Sequence, residues 1–328
     1  MAVLIITIII LSIFFSFFSD FIGKKIGLMD TPKQGKIHLN PIPMIGGLIL
    51  FFSILISLIF TENLIEQKKY ILFTYLSIFF LVGLIDDKFN IHSYIRILLI
   101  LIISIIFISS YEFFVIEKIF FKNLNSEYYF GKFKIIVTLI CILLLYIAMN
   151  MADGINGLII SFSIFAIITL KYFIFLSGFN FIDIAILTSL IILFFFNYNN
   201  KIFLGNSGTT LLASYFIFTT IEQNYFLKID VYSVISIFLI MGVDMVRLFF
   251  LRISNKSNPF DRDQYHFHHI LYKKYNVNFA ILIYIFLSFS PMIFSKIFNL
   301  PILIFIILSV LVYIAILLKN KKNEEITK

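Results

Sequence analysis

Charge-free apolar runs return along the whole of this 328-residue chain. The first, AVLIITIIILSIFFSFF, fills residues 2–18. Crossing a hydrocarbon layer of roughly 30 Å takes about 20 helical residues. In lipid every backbone N–H and C=O must be paired within the segment, which makes the helix the natural spanning form. Only 13% of residues are charged, against about 25% in soluble domains. The chain is therefore read as an all-α polytopic membrane protein, one integral-membrane domain over 1–328 with a basic tail at 319–328. Eleven transmembrane helices are predicted, with ten as the alternative: 2–19, 42–60, 70–85, 95–111, 133–150, 157–177, 182–197, 207–221, 230–250, 278–294 and 301–318. The first run lacks a basic leader and a small-residue cleavage site, so it reads as a span and not as a removable signal. The lone cysteine, Cys141, excludes an intrachain disulfide and a cysteine-built metal site.

An odd number of spans sorts the connections into two sides. One side, with Asp244 just inside the membrane, carries 17 Lys and Arg and 10 Asp and Glu; the other, with Lys171 and Asp183 assigned to it, carries 9 and 8. The positive-inside rule makes the first side cytoplasmic. The N-terminus then lies outside and the C-terminus inside. The net charge of +8 is mostly this bias; no nucleic-acid partner is expected. All five histidines fall on the cytoplasmic side, as do Asp86, Asp87 and Asp153. The chemistry is expected on cytoplasmic loops.

Five polar stretches stand out there. DTPKQGKIHLNPIPMIGG (30–47) combines helix-breaking prolines with Lys36 and His38, and reads as a phosphate-approach loop or an ordinary basic loop. GLIDDKFNIHSYIR (83–96) ends an apolar span on Asp86 and Asp87, with Arg96 following. Carboxylates at a membrane edge are costly and usually functional. In AMNMADGINGLII (148–160), Asn150, Asp153 and Asn156 recur every third residue and share a face if helical. FFFNYNNKIFLGNSGTTLL (194–212) holds Asn197, Phe203, Gly205 and Asn206 where a helix begins, a place whose N–H groups attract phosphate; the same residues are good turn chemistry. MGVDMVRLFFLRISNKSNPFDRDQYHFHHIL (241–271) gathers Asp244, Asp263, His266, His268 and His269 among arginines. Zinc lacks clear third and fourth ligands there, and the set reads better as a phosphate or pyrophosphate clamp.

Taken in order, these stretches resemble the polyprenyl-phosphate N-acetylhexosamine-1-phosphate transferases, which include the undecaprenyl-phosphate GlcNAc-1-phosphate transferases and the phospho-MurNAc-pentapeptide translocases. The likeness runs over nearly the whole chain. The family's D-x-P…K/R-x-H…P…GG loop is similar to Asp30, Pro32, Lys36, His38, Pro43, Gly46 and Gly47. Its DD pair falls on Asp86 and Asp87, and its N-x-x-DG-x-x-GL on Asn150, Asp153, Gly154, Gly157 and Leu158. Its FN…FLG-x-SG falls on Asn197, Phe203, Gly205, Ser207 and Gly208, and its D-x-x-H-x-HH on Asp263, His266, His268 and His269. The H-x-HH form resembles the GlcNAc branch more than the translocase branch. Two positions depart: Asn156 and Asn206 stand where the family usually has Asp.

The resemblance implies transfer of an N-acetylhexosamine 1-phosphate from a UDP-sugar to undecaprenyl phosphate, with release of UMP, at the bacterial inner membrane. It implies Mg²⁺, with Mn²⁺ as the alternative, held by Asp153 and Asn206. Asp86, Asp87, Asp153, His266, His268 and His269 are the expected catalytic set. Lys36, His38, Arg96, Asn150, Asn156, Asn197, Phe203, Gly205 and Asp263 are the expected substrate contacts, with uridine stacked on Phe203. A homodimer is common in that family. Two other readings stay open: a weakened relative that binds lipid or nucleotide, and a transporter.

Overall fold

The computed structural model describes residues 1–32, 40–60, 66–256, 258 and 265–326. Lys36, His38 and Asp263 lie outside them. The chain runs α1 (Ala2–Phe17), α2 (Ser19–Ile26), β1 (Met29–Asp30), β2 (Ile42–Pro43), α3 (Gly46–Ile59), α4 (Glu66–Phe89), α5 (Ser93–Ser110), β3 (Lys118–Phe121), β4 (Ser126–Tyr129), α6 (Lys134–Ala152) and α7 (Leu158–Thr169). It continues through α8 (Phe181–Tyr198), α9 (Gly205–Phe226), α10 (Val231–Ser254), α11 (Phe267–Lys274), α12 (Val277–Phe298) and α13 (Ile302–Ile326). β1 pairs antiparallel with β2, and β3 with β4.

Each of the eleven predicted spans coincides with a helix. Among the described residues, eight helices are long and apolar enough to cross a bilayer alone, and α1 with α2, bent by 69°, adds a ninth. α3 is short, at 14 residues. α9 is long enough, at 22 residues, but polar. The reason is its surroundings. α9 runs through the middle of the bundle against α3, α4 and α6, and Ser207, Thr209, Thr210, Ser214 and Thr219 on it are all buried. A helix wrapped in protein need not satisfy lipid. Some of its hydroxyls close on its own carbonyls, as Ser214 does on Leu211 and Thr219 on Tyr215.

Lys171 and Asp183, assigned from the sequence to the outer side, are both buried within the bundle. Lys171 sits in a π-helical turn, Leu170–Phe175, that continues α7. Its Nζ lies 2.9 Å from Asp183 Oδ2. Tyr215 of α9 donates to Asp183 Oδ1 at 2.5 Å. Asp183 also closes the cap of α8: the Asn180 N–H donates to it, and the Asp183 N–H donates to the Asn180 side chain. One carboxylate thus joins three helices.

Removing one partner of a buried pair leaves an uncompensated charge, at about 3–5 kcal/mol. Asp183→Asn is expected to lower the midpoint of thermal unfolding in detergent, and Lys171→Met added to it to restore most of the loss. A double variant as unstable as the single one would show that the pair is not the cause.

Candidate active site

The predicted residues among those described gather near the ends of α4, α6, α8 and α10 and the starts of α7, α9 and α11. The tie between α4 and α9 is a single carboxylate. Asp87, in the last turn of α4, accepts from Asn206 N at 2.7 Å, from Ser207 N at 2.9 Å and from Ser207 Oγ at 2.7 Å. A carboxylate here meets the unpaired N–H groups and the positive end of the helix dipole. Gly205 is required twice over. Its φ is +75°, and a Cβ there would stand 2.6 Å from Asp87 Oδ2. The neighbouring Asp86 is buried and ion-paired to Arg96 at 2.5 Å.

α6 brings the next group. Asn150 donates to Asn206 Oδ1 at 3.2 Å, so Asn206 lies between Asn150 and the Asp87 tie. One turn on, α6 stops at Asp153, which is exposed. Gly154 follows, and a Cβ on it would fall 2.0 Å from His268 Nε2 and 2.8 Å from His269 Nε2. The DG turn therefore rests on the histidines of a helix more than a hundred residues away. Behind the turn, Asn197 is spent on backbone: it accepts from Gly157 N at 2.6 Å and donates to Ile202 O at 2.9 Å. The geometry makes it a brace of this loop. Asn156 donates to Asn200 at 2.5 Å. Phe203 is half-buried; its N–H donates to Pro43 O, and its own carbonyl accepts from Gly46 N.

The histidines are organised by Asp244. Its Oδ2 lies 3.1 Å from His266 Nδ1 and accepts from Phe267 N at 3.1 Å. Its Oδ1 accepts from Arg247 at 2.7 Å and from Tyr313 at 2.8 Å. Arg252 stands 3.4 Å from His266 Nε2. The rings of His266 and His268 are nearly parallel with centroids 5.2 Å apart, and His269 follows at 4.4 Å from His268. Burial, then the two neighbouring imidazoles, push the basicity of His268 well below that of ordinary histidine. Its Nε2 is buried with no hydrogen-bond partner.

Two places hold donors that suit a cation. Ligand atoms of Asp244, His266 and His268 lie within 4.8 Å of one another. Both oxygens of that carboxylate are already engaged, and Arg247 and Arg252 flank it, which opposes a hard divalent ion. At the start of α9 the Asn206 Oδ1 accepts from the Asn150 amide and has one lone pair left, no arginine among the described residues is bonded to it, and the exposed carboxylate of Asp153 lies one turn beyond Asn150 on α6. That chemistry fits Mg²⁺, which prefers oxygen ligands and keeps several waters.

Sequence reasoning missed Tyr313 and Asn200. Tyr313 is one of two hydroxyls, with Ser309, in an otherwise apolar span, 69 positions from the carboxylate it serves. Only the presence of a polar tip in that helix could have signalled it.

The model of the family described as "Glycosyl transferase family 4" matches residues 70–224. The undecaprenyl-phosphate alpha-N-acetylglucosaminyl 1-phosphate transferase of Yersinia pestis is 26% identical over 283 residues, 81% of this chain and 75% of that protein. Its namesake from Escherichia coli (strain K12) is 25% identical over 282 residues, 81% of this chain and 75% of its own. The probable undecaprenyl-phosphate N-acetylglucosaminyl 1-phosphate transferase of Bacillus subtilis (strain 168) is 25% identical over 260 residues, covering 76% and 71%. The matched span holds the Asp87 tie, the DG turn and the loop that opens α9, so the likeness to glycosyl transferase family 4 falls on residues that build the site.

Proposed function

We propose that this protein is a phosphoglycosyltransferase that moves an N-acetylhexosamine 1-phosphate, with GlcNAc as the first choice, from a UDP-sugar onto undecaprenyl phosphate and releases UMP. The observation that carries this reading is the contact of the DG turn with His268 and His269, beside the α4–α9 junction, at one end of a bundle of apolar helices. A lipid acceptor requires a site at a membrane end, and a diphosphate donor requires dense positive and hydrogen-bonding groups. The names borne by the relatives from Yersinia, Escherichia and Bacillus support the same chemistry.

Both substrates are anionic, so attack of one phosphate on another is limited by charge repulsion. Mg²⁺ bound at Asp153 and Asn206 would supply charge neutralisation at the diphosphate. Arg96 holds Asp86 in place. Asp87 sets the direction of the first N–H groups of α9 and with them Asn206. His269, half-buried beside the buried His268, faces the DG turn and orients phosphate oxygens. His266, held by Asp244, fixes the ring stack. Asn150 and Asn156 line the nucleotide side, with Phe203 as the stacking surface for uracil and Asn197 bracing the loop from behind. Lys36, His38 and Asp263 complete the expected set of phosphate contacts.

A second reading rests on Asn206. It carries no charge where relatives of the resembled family usually carry a carboxylate, so the cation would bind more weakly and transfer would be slow.

Purified protein with undecaprenyl phosphate, Mg²⁺ and radiolabelled UDP-GlcNAc is expected to yield labelled lipid and one UMP per turnover. UDP-GalNAc and 6-deoxy sugars run in parallel rank the donors. No transfer from any donor by folded protein would remove the proposal.

Asp87→Asn places an amide N–H against the amides of α9. It is expected to cut transfer by at least about 100-fold, the upper range for a residue that orients a metal ligand, while the protein remains monodisperse in detergent. Wild-type turnover would sink the scheme.

Asn206→Asp is expected to lower the Mg²⁺ concentration for half-maximal activity by about tenfold, as an added ligand charge should. An unchanged Mg²⁺ curve would place the cation elsewhere. Activity in the variant with none in the parent would favour the second reading.

A further inference from the structure

A cavity of about 620 Å³ lies beside the site, between the α1–α2 bend, β2 and the end of α8. Ser16, Asp20, Pro43, Phe196, Asn200 and Lys201 are among its walls. On the preceding turns of α1, a second cavity of about 330 Å³ is lined almost wholly by apolar side chains, among them Ile10, Leu11, Phe14 and Ile56 of α3. The two follow one another along a single helix. α1 is peripheral: Ile10, Phe14, Phe17 and Phe18 are exposed, and Phe21 of α2 is exposed after the bend. In a membrane those side chains meet lipid, and α2, with Lys24 and Lys25, turns along the interface.

Two features of the polar cavity point to a ligand. The Ser16 side chain lines it, is 3% exposed, and its Oγ has no hydrogen-bond partner. A helical serine would ordinarily return its hydroxyl to the preceding turn; a buried hydroxyl left unpaired is unfavourable. Asp20 and Lys201 put opposite charges on the same cavity, and among the described residues neither has an ion-pair partner.

We propose that this is a binding site for a zwitterionic phospholipid of the phosphatidylethanolamine type, distinct from both substrates. One acyl chain lies in the apolar groove between α1 and α3. The phosphate meets Lys201 and the Ser16 hydroxyl, and the ammonium meets Asp20. A phosphate monoester carries no cation and would bring negative charge to Asp20 with nothing to pair it. The site has a consequence for the wall next to it. Asn200 accepts from Asn156, and the Pro43 carbonyl accepts from the Phe203 N–H. Two cavity residues therefore hold, from behind, two residues proposed to bind nucleotide, and a bound headgroup stabilises that wall.

The test is native mass spectrometry of the full chain from mild detergent, titrated with phosphatidylethanolamine or phosphatidylglycerol of matched chains. One phosphatidylethanolamine is expected to be retained in preference to phosphatidylglycerol. Asp20→Asn and Lys201→Gln, both at exposed positions, are each expected to weaken retention about two- to fivefold, the range for a partly exposed charge contact. Thermal unfolding read in parallel confirms that both variants fold. Equal retention of the two lipids, retention unchanged in the variants, or mole-for-mole displacement by undecaprenyl phosphate would each overturn the proposal, the last by making the cavity the acceptor site. Lipid retention is read without turnover, so failure of the transfer assay leaves this result independent.

Discussion

The Asp87 carboxylate, closed on the first N–H groups of α9, is the contact on which the rest of this molecule depends. α9 is the central helix, and its packing against α4 is the largest in the bundle. The same carboxylate that satisfies the start of α9 also sets where Asn206 stands, and Asn206 is the partner of Asn150. An end of a helix buried in protein needs its N–H groups paired; here the pairing group is a charge. The arrangement gives the membrane-edge carboxylate a definite use, and its neighbour Asp86 is used as well, on Arg96. Neither acid of the pair is idle, which argues that their first task is to hold the site's geometry.

The second organising centre is Asp244. Four donors from three elements converge on it, and through His266 it places the ring stack that supports the DG turn. Tyr313 ties α13 into this network, so the last span, remote in sequence, shapes the same corner. A carboxylate with so many partners beside two arginines is a structural anchor more than a cation ligand, even though the donor types alone would suit a metal. The distinction follows from charge: hard divalent ions go where oxygens are free and positive groups are few.

How much could be read from the sequence differs from residue to residue. Asp86, Asp87, Asn150, Asp153, His268 and His269 were visible because a polar residue among apolar spans is expensive and seldom accidental. Their grouping at one end was visible because helices that alternate direction put every second connection on the same side. Asn197 was visible too, but its part was not: whether an amide faces a ligand or its own backbone depends on a loop that only the folded chain closes. Lys171 and Asp183 were assigned to the outer side by their place near span ends; their pairing inside the bundle needed the π-helical turn that no local pattern announces. α9 is polar for a related reason, since protein and not lipid surrounds it.

By itself, then, the sequence determined the class of the protein and where its helical segments lie, and it singled out the polar stretches that the fold brings to one end of the bundle. These depend on local composition and on the high cost of exposing polar groups to hydrocarbon, and both act on each segment independently. The tertiary structure alone decided which polar groups meet: Asp87 with the start of α9, Gly154 with His268, Asp244 with Tyr313, Lys171 with Asp183. Those pairings join positions tens to more than a hundred residues apart, and they exist only because helix packing brings particular turns within hydrogen-bond reach.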